Sequence, residues 1–378
     1  MKIVVAIDSF KGSLSSIEAG SAAKEGIQLV DKNADVEIIP IADGGEGTVD
    51  ALVLARKGEK RRIVAKDPLG RDIECEYGII DGNLAVIEMS AAAGITLLKE
   101  SELNPLYTTT YGVGQMIADA ISLGCRKFII GIGGSATNDC GIGMLQALGF
   151  GLLDKNGNQV GYGANGLKDI VKIDLSGINP VLPDCEFNIA CDVKNPLCFE
   201  NGCSAVYARQ KGADDQMIAD MDKWIFDYSE LVKTVFANAD INVEGAGAAG
   251  GLGYAFVSFL GGNLTRGIDL VLTRIDIDEK IKKCDLVITG EGRLDGQTVM
   301  GKAPIGVARI AKRYNKTCIA FAGGVTPDAV ACNEAGIDAF FPIVRGITTL
   351  EQAMKKENAY NNMVSAVMQA YRLFKIKE

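Results

Sequence analysis

A strand, a glycine-rich loop and a helix follow one another at both ends of this chain, and this order restricts the fold strongly. Near the start, an apolar run at 2–7 precedes a helical pattern at 15–30. A second apolar run at 36–41 leads into the loop 43–48 and then into another helical pattern. Such alternation predicts an α/β fold with a parallel, doubly wound sheet. Ligands of these sheets lie beyond the carboxyl ends of the strands.

The middle of the chain follows a different pattern. Short alternating runs between residues 61 and 89 are broken by turns, which is typical of antiparallel strands and places a boundary near residue 65. The two parallel-type strands before that boundary are too few for a stable sheet. The strand–loop–helix order returns at 285–289 and at 317–322. We therefore predict a Rossmann-like, doubly wound parallel sheet made from both chain ends (1–65 and 284–378) and an inserted second α/β domain with a mixed sheet (66–283). The active site is expected in the cleft between the two domains.

Composition excludes several classes of function. The 378 residues carry a formal charge of −9 with a pI near 4.9, which argues against a nucleic-acid binder or a protein of anionic membrane surfaces. No apolar run approaches the roughly 18 residues that a membrane helix requires. The start of the chain leads directly into a strand, and the ten cysteines lack zinc-site spacing. We therefore expect a protein of the cytoplasm, where the environment is reducing.

The chain has no histidine. Every catalytic pair that depends on an imidazole is thereby excluded. Any acid–base chemistry must use aspartate, glutamate, lysine, tyrosine or cysteine.

The segment Phe128–Gly143 combines a buried-strand pattern, a glycine turn and the start of a helical pattern. Backbone N–H groups converge in such a turn, and glycine lets an anion approach them closely. The candidate phosphate-binding residues are Gly133, Gly134, Ser135, Thr137 and Asn138. The alternative is a tight turn that binds nothing, in which Asn138 and Asp139 cap the helix.

Two nucleotide signatures in the sequence are incomplete. Residues 296–303 fit the spacing of a P-loop, but Ala303 stands where the motif needs serine or threonine for magnesium. We reject a standard P-loop there, while Lys302 remains a candidate for phosphate. Residues 245–250 match the glycine spacing of a dinucleotide fingerprint, but a poor strand precedes them. A nicotinamide dehydrogenase would rest on that match, and a non-catalytic ligand sensor would rest on the two-domain cleft alone.

One chemistry recurs where strands end: carboxylates or hydroxyls stand beside glycines or cations. The groups are Asp8/Lys11, Asp43/Glu46, Ser135/Thr137/Asp139, Asp192/Lys194 and Glu291/Arg293/Asp295. Phosphoryl transfer needs backbone donors and cations for phosphate, carboxylates for magnesium and a base near the acceptor hydroxyl. Jointly these loops predict a polyphosphate–magnesium site.

Seven sequence blocks resemble, in the same order, the type I glycerate kinase family. They are DSFKGS (8–13), ADGGEGT (42–48), NPLYTTTYG (104–112), GIGGSATND (131–139), CDVKNPLC (191–198), GAGAAGGLG (245–253) and TGEGRLDGQTVMGKAPIGVA (289–308). One departure is Ile7, where the family usually has proline. The resemblance implies a two-domain fold and phosphorylation of D-glycerate by ATP with Mg²⁺, usually to 2-phosphoglycerate. Another small hydroxy acid as substrate, or 3-phosphoglycerate as product, remains the alternative.

With that resemblance, the polar residues receive expected roles. We expect Asp192 to accept the hydroxyl proton of glycerate, since no histidine is available, and we expect Lys11 and Asp8 to complete the catalytic set. Arg71, Arg293 and Lys11 are candidates for the substrate carboxylate. The alternatives are a turn or cap role for Asp192 and a solvated surface charge, above all for Arg71.

The remaining polar residues complete the predicted site. Ser9, Asp43 and Glu46 complete the predicted substrate set, and Lys302 is assigned to phosphate. Asp295 and Glu291 are candidates for Mg²⁺; the alternative is hydrogen bonding within their own loop. The expected partner is D-glycerate, bound by a monomer or a homodimer.

Overall fold

The computed structural model describes residues 1–376. These residues form two compact units. The first unit comprises residues 1–43, 50–56 and 268–376, and the second comprises 44–49 and 57–267.

Thirteen strands and fifteen helices are formed within residues 1–376. The strands are β1 (Lys2–Ile7), β2 (Asp35–Ile38), β3 (Glu59–Lys66), β4 (Asp72–Ile80), β5 (Leu84–Glu88), β6 (Lys127–Gly131), β7 (Gly151–Leu153), β8 (Lys172–Asp174), β9 (Glu186–Ala190), β10 (Asn263–Thr265), β11 (Leu286–Leu294), β12 (Thr317–Val325) and β13 (Ala339–Pro342). The helices are α1 (Ser16–Gln28), α2 (Thr48–Arg56), α3 (Ser90–Ala93), α4 (Tyr111–Ser122), α5 (Ile142–Ala147), α6 (Ala164–Leu167), α7 (Cys203–Tyr207), α8 (Asp215–Val235), α9 (Ala248–Leu260), α10 (Gly267–Arg274), α11 (Ile277–Lys282), α12 (Ala303–Arg313), α13 (Ala331–Glu334), α14 (Leu350–Met354) and α15 (Lys356–Lys375).

The first unit is built on a five-stranded sheet in the order β13-β12-β11-β1-β2. All four strand pairs are parallel, and the strands come from both ends of the chain. Apolar side chains of β1 pack with α1 and α15 in one buried cluster. Ser15 caps α1, with Glu18 returning the hydrogen bond as a capping box. The predicted doubly wound parallel sheet is confirmed.

The second unit contains a six-stranded sheet in the order β10-β9-β6-β5-β4-β3. The pairs β3–β4 and β4–β5 are antiparallel, whereas β5, β6, β9 and β10 run parallel. Phe128 and Phe187 stack on neighbouring strands with ring centroids 4.8 Å apart, inside the larger core. The mixed sheet that the alternating runs predicted is therefore present.

Three stretches lie in the other unit from the one predicted: 44–49, 57–65 and 268–283. Strand β3 pairs with β4 in the second sheet, so this unit begins at residue 57 apart from the segment 44–49. The stretch 268–283, which contains α10 and α11, belongs to the first unit. A sequence boundary drawn from turn residues could not detect which sheet supplies the pairing partner of β3.

Strand β11 is longer than the sequence predicted. We expected it to end at Thr289, with a loop over 290–296, but it pairs with β12 as far as Leu294. Gly290 permits this pairing, because a Cβ there would lie 2.2 Å from the carbonyl oxygen of Phe321. Glu291 and Arg293 are therefore held on a strand.

None of the helices in the described part of the chain is long and apolar enough to cross a membrane. All ten cysteines are free thiols, and eight of them are buried.

Candidate functional site

Asp8 lies at the carboxyl end of β1, in the first unit, and is only 4% exposed. Its Oδ1 accepts a hydrogen bond from the backbone N–H of Ser9 at 2.6 Å. Burial, together with the nearby charges of Asp43 and Glu291, raises the pKa of Asp8 to about 8, although Lys11 opposes the shift. Lys11 Nζ stands 3.8 Å from Asp43 Oδ2. At neutral pH this edge therefore contains a protonated carboxyl group.

The hydroxyl group of Ser9 is buried beside this carboxyl group. Its Oγ has no hydrogen-bond partner within residues 1–376. A buried hydroxyl without a partner is costly, and a bound polar ligand would relieve that cost.

A second pair of carboxylates lies at the end of β11 in the same unit. Glu291 is 7% exposed, and its Oε1 accepts a hydrogen bond from Thr298 Oγ1 at 2.6 Å. Burial raises the pKa of Glu291 to about 6. Asp295 Oδ1 lies 3.7 Å from Lys302 Nζ, and Asp295 Oδ2 lies 3.7 Å from Arg293 Nε. The edge thus presents carboxyl groups next to cations that can approach phosphate or carboxylate oxygens.

The carboxyl groups at this edge could supply some of the ligands of Mg²⁺, with water and substrate phosphate supplying the rest. They could not enclose the ion with protein ligands alone. Among residues 1–376 no group of three or more acidic, cysteine or histidine side chains could hold an ion. Mg²⁺ usually takes one or two carboxylates and completes its shell with water and substrate phosphate. Glu291 and Asp295 supply two neighbouring carboxyl groups, and the charge of Asp295 helps to raise the pKa of Glu291. A dication would relieve that repulsion.

The glycine turn after β6 belongs to the second unit and has two parts. The backbone N–H groups of Gly133, Gly134 and Ser135 donate no hydrogen bond to any described residue, and both glycines are exposed. Thr137 and Asn138 are instead fully buried. Three consecutive open N–H groups form the kind of concave donor set that binds anions.

Lys211 is buried beneath the glycine turn and fixes it by hydrogen bonds. It is 2% exposed, and its Nζ donates hydrogen bonds to Ser135 Oγ at 2.8 Å and to the carbonyl oxygen of Thr137 at 2.6 Å. Burial lowers the pKa of Lys211 to about 8, while Cys203 and Asp139 oppose the shift. Sequence reasoning missed Lys211, because nothing in its local sequence distinguishes it from the exposed basic residues around it.

The buried side chains of the turn serve the fold. Asn138 Nδ2 donates to Ser204 Oγ at 2.9 Å. Asp139 accepts hydrogen bonds from the backbone N–H groups of Gly141 at 3.1 Å and Gly143 at 3.3 Å and from the backbone N–H and hydroxyl of Thr110, both at 2.9 Å, so it connects the turn to the segments before α4 and α5. The N-cap residue of α5 is Gly141, and no side chain makes a capping hydrogen bond there, so neither Asn138 nor Asp139 is the N-cap that the sequence allowed. The phosphate roles assigned to the side chains of Thr137 and Asn138 stay predictions.

Asp192 follows β9, the strand that pairs in parallel with β6. Neighbouring strands lie about 4.8 Å apart, so Asp192 and the glycine turn leave the same sheet edge side by side. Asp192 is exposed, and its Oδ1 accepts a hydrogen bond from the backbone N–H of Gly267 at 3.1 Å. Lys194 pairs with Glu244 at 2.9 Å, also at the surface. An anchored but accessible carboxylate is suited to receiving a proton.

Arg71 is held by two carboxylates of the second unit. Its Nε donates to Asp67 Oδ2 at 2.5 Å and its Nη1 donates to Glu102 Oε1 at 2.8 Å. Glu46 lies in the same unit and is exposed.

The structure thus divides the predicted site residues between its two units. The first unit holds Asp8, Ser9, Lys11, Asp43, Glu291, Arg293, Asp295 and Lys302; the second holds Glu46, Arg71, Gly133, Gly134, Ser135, Thr137, Asn138 and Asp192.

The dinucleotide-like glycines have a packing explanation. A Cβ at Gly247 would lie 2.2 Å from the carbonyl oxygen of Pro196, and one at Gly250 would lie 2.1 Å from that of Thr137. No strand is formed over 239–244, directly before these glycines. Close backbone packing therefore accounts for the spacing that resembled a cofactor motif.

Comparison with known proteins identifies strong similarity over the whole chain. The model of the Glycerate kinase family matches residues 3–375. The chain is 45% identical to the glycerate 2-kinase of Escherichia coli K12, covering 97% of this chain and 96% of that protein. It is also 45% identical to the glycerate kinase of Bacillus subtilis, with coverages of 95% and 94%. A crystal structure described as that of a glycerate kinase 2 from Salmonella typhimurium LT2 superposes with a TM-score of 0.90 at 42% identity, covering 100% of this chain and 99% of that one.

Proposed function

This chain belongs to the glycerate kinase family, and from that premise we propose that it transfers the terminal phosphoryl group of ATP to D-glycerate. The products are ADP and phosphoglycerate, with 2-phosphoglycerate favoured. The observation that carries this proposal is near-complete alignment, at 45% identity, with a protein named glycerate 2-kinase. The reaction requires sites for phosphate, for a carboxylate and for a proton, and the described residues offer candidates for each.

We propose that the open amides of Gly133, Gly134 and Ser135 bind phosphate oxygens. Support comes from their lack of intramolecular partners and from Lys211, whose hydrogen bonds hold the turn in one conformation. A buried cation beneath the turn also favours an anion above it. Preorganised donors of this kind stabilise the charge that develops during phosphoryl transfer.

Asp192 is the proposed acceptor of the hydroxyl proton of glycerate. Its position beside the phosphate turn and its exposure support this role, and the chain has no histidine to take it. A base positioned at the nucleophile contributes about 10² to 10⁴ in rate. The backbone N–H of Gly267 fixes one oxygen of the carboxylate.

We assign the carboxylate of glycerate to Arg293, because Arg71 is already engaged by Asp67 and Glu102. Arg293 contacts only Asp295, at 3.7 Å, among the ion pairs formed by the described residues. Ser9, with its buried and unpartnered Oγ, is the proposed hydrogen-bonding partner of the substrate, while Lys11, Asp43 and Glu46 remain candidates for the same role.

Glu291 and Asp295 are the residues that would hold Mg²⁺ directly or through water. When bound, the ion neutralises charge on the phosphate oxygens. Lys302 stands beside Asp295 and is the proposed phosphate cation of this unit.

The direct test is to incubate the protein with ATP, Mg²⁺ and D-glycerate and to follow ADP release. Glycerate-dependent release is expected, and phosphorus NMR of the product identifies the phosphorylated carbon from its coupling pattern. Another small hydroxy acid that turns over faster would replace D-glycerate as the substrate. Absence of turnover with every acceptor would refute the proposal. The cytoplasmic location and the monomeric or dimeric state stay predictions from the sequence.

A further inference from the structure

The C-terminal part of the first unit forms an open pocket of 540 Å³ that none of the roles above uses. We call it the amide pocket: it is lined by residues 344–348 and by Gln352, Ala353, Asn358, Asn361 and Asn362. The loop leaves the carboxyl end of β13, and the three asparagines lie at the start of α15. Spacings of three and four residues place Asn358, Asn361 and Asn362 on one helix face. The volume falls within the range of ligand sites.

The lining of the amide pocket is rich in side chains that both donate and accept hydrogen bonds. Arg345 is the one charged residue among those that line it, and no carboxylate does. Amide side chains are the usual partners of the adenine edge, where they pair with N6 and N7 together. The absence of carboxylates from the lining also avoids repulsion of a nucleotide.

Some side chains of this lining are hydrogen-bonded within the protein, and one is left to bind a ligand. Arg345 donates to Asn362 Oδ1 at 3.3 Å and to Ser365 Oγ at 2.5 Å. Asn358 Nδ2 donates to the carbonyl oxygen of Gln352 at 2.8 Å. The side chain of Asn361 has no partner anywhere in residues 1–376.

An apolar residue lies at the rim of the amide pocket. Ile347 is wholly exposed on the loop that lines the pocket. Apolar side chains combined with a few fixed polar groups are typical of sites for flat organic ligands. Ile347 can cover one face of a base while the amides contact its edge.

The position of the pocket relates it to the proposed phosphate cation. Strand β13 pairs with β12, and β12 pairs with β11, all in parallel. Two strand spacings amount to about 10 Å. The pocket and the β11–α12 loop with Lys302 therefore open at the same sheet edge, where doubly wound folds bind nucleotides. A nucleoside triphosphate is long enough to bridge that span.

We propose that the amide pocket binds the adenosine part of ATP, with Asn361 contacting the base edge and the phosphates directed toward Lys302. This inference rests on the proposed kinase function, and it names the subsite that selects the nucleotide. Guanine presents an acceptor where adenine presents its N6 donor, so the pocket prefers ATP over GTP.

The first test is Asn361→Ala, with Gln369→Ala as a matched control. Gln369 is an exposed amide on the same helix and does not line the pocket. We expect Asn361→Ala to raise both the Kd of a fluorescent N-methylanthraniloyl-ATP and the KM for ATP about tenfold. It should also narrow the ATP-over-GTP preference, while the KM for D-glycerate changes less than about twofold. Equal losses for ATP and GTP, or no loss, would overturn the proposal.

A second test locates the base directly. Photolysis with 8-azido-ATP, followed by tryptic digestion, should label the peptides 346–355 and 357–372, and excess ATP should prevent the labelling. ATP-protected labelling confined to other peptides would overturn the proposal even if every variant remained active.

The two proposals fail in different ways. If wild-type protein binds ATP without glycerate-dependent ADP release, the kinase proposal fails, whereas weakened binding in Asn361→Ala still supports the pocket. If turnover is normal and Asn361→Ala binds ATP like wild type, only the pocket fails. If the wild type does not bind ATP, both fail.

Discussion

The two sheets of this protein bury a titratable group at their carboxyl edges in opposite ways. In the first unit Asp8 is buried among other carboxylates, and in the second unit Lys211 is buried among oxygen acceptors. Burial disfavours the charged form of both, so the pKa of each is brought to about 8 from opposite sides. At pH 7 the aspartate is neutral while the lysine keeps its charge. Both edges therefore repel anions less than the net charge of −9 suggests.

The largest expected effect tests Asp192 as the proton acceptor, since the neutral Asp8 of the first unit has no free carboxylate for that role at pH 7. Asp192→Asn should lower kcat about 10²- to 10⁴-fold, because the amide cannot take the hydroxyl proton. The measurement is ADP release at saturating ATP, Mg²⁺ and D-glycerate. Asp169→Asn, at an exposed aspartate of the same unit, is the control. Nearly unchanged kcat in Asp192→Asn would refute the proposed role of Asp192 as the proton acceptor.

Replacement of Lys211 in the second unit should have the next largest effect on activity. Lys211→Met leaves the buried carbonyl of Thr137 and the hydroxyl of Ser135 without their donor, which costs about 1–3 kcal/mol for each unsatisfied group. We expect kcat/KM for ATP to fall about 100-fold and the thermal midpoint to fall as well. Lys172→Met, at an exposed lysine of the same unit, controls for the loss of one charge.

A pH profile distinguishes a role in phosphate binding from a purely structural one. Wild-type kcat/KM for ATP should decline above about pH 8, where Lys211 loses its proton. That basic limb should be absent in Lys211→Met and should persist in Asp8→Asn. The reverse result would assign the limb to the carboxyl edge of the first unit.

The sequence was informative where chemistry and local pattern coincide. Alternation of strands and helices predicted both sheets, and Asp8 and Lys302 lie at strand or helix ends, as their neighbours in sequence indicated. Open amides at residues 133–135 also follow from a glycine turn after a buried strand. These features depend on residues close together in the chain.

The sequence could not reveal contacts between distant segments. Lys211 is 76 residues from Ser135 and 74 from Thr137, so no local signal relates it to the turn. Arg71 looked available because the buried Asp67 beside it has no distinguishing mark in sequence. The open pocket beyond β13 was also missed, because its lining comes from the loop 344–348 and from two separate helices, α14 and α15.

Asp8 and Lys211 should change the free energy of unfolding with pH in opposite directions and in different pH ranges. The ordinary pKa of the Asp8 carboxyl is 3.8, and in the fold it is about 8, so the folded state binds more protons between these values. Stability therefore falls as pH rises through that window, and the loss is complete above pH 8. Asp8→Asn should remove the loss, making the variant more stable than wild type at pH 9 by up to a few kcal/mol. Asp43, Glu291 and Lys11 face this group.

Lys211 should show the opposite sign at higher pH. Its pKa is about 8 in the fold against an ordinary 10.5, so the unfolded state binds more protons between these values and stability rises there. Urea unfolding in EDTA from pH 5 to pH 10, for wild type, Asp8→Asn and Lys211→Met, measures both windows. A pH-independent difference between Asp8→Asn and wild type would mean that Asp8 is ionised throughout.

The smallest expected effect tests which arginine binds the glycerate carboxylate, Arg293 of the first unit or Arg71 of the second. Arg293→Ala should raise the KM for D-glycerate about tenfold, because its guanidinium has only a loose contact with Asp295 and can grip a carboxylate. Arg71→Ala should change that KM less than Arg293→Ala does, since Asp67 and Glu102 hold its guanidinium. Arg309→Ala, at an exposed position on α12, is the control for charge. A larger increase in Arg71→Ala would show that substrate displaces its carboxylate partners, and the carboxylate site would then belong to the second unit.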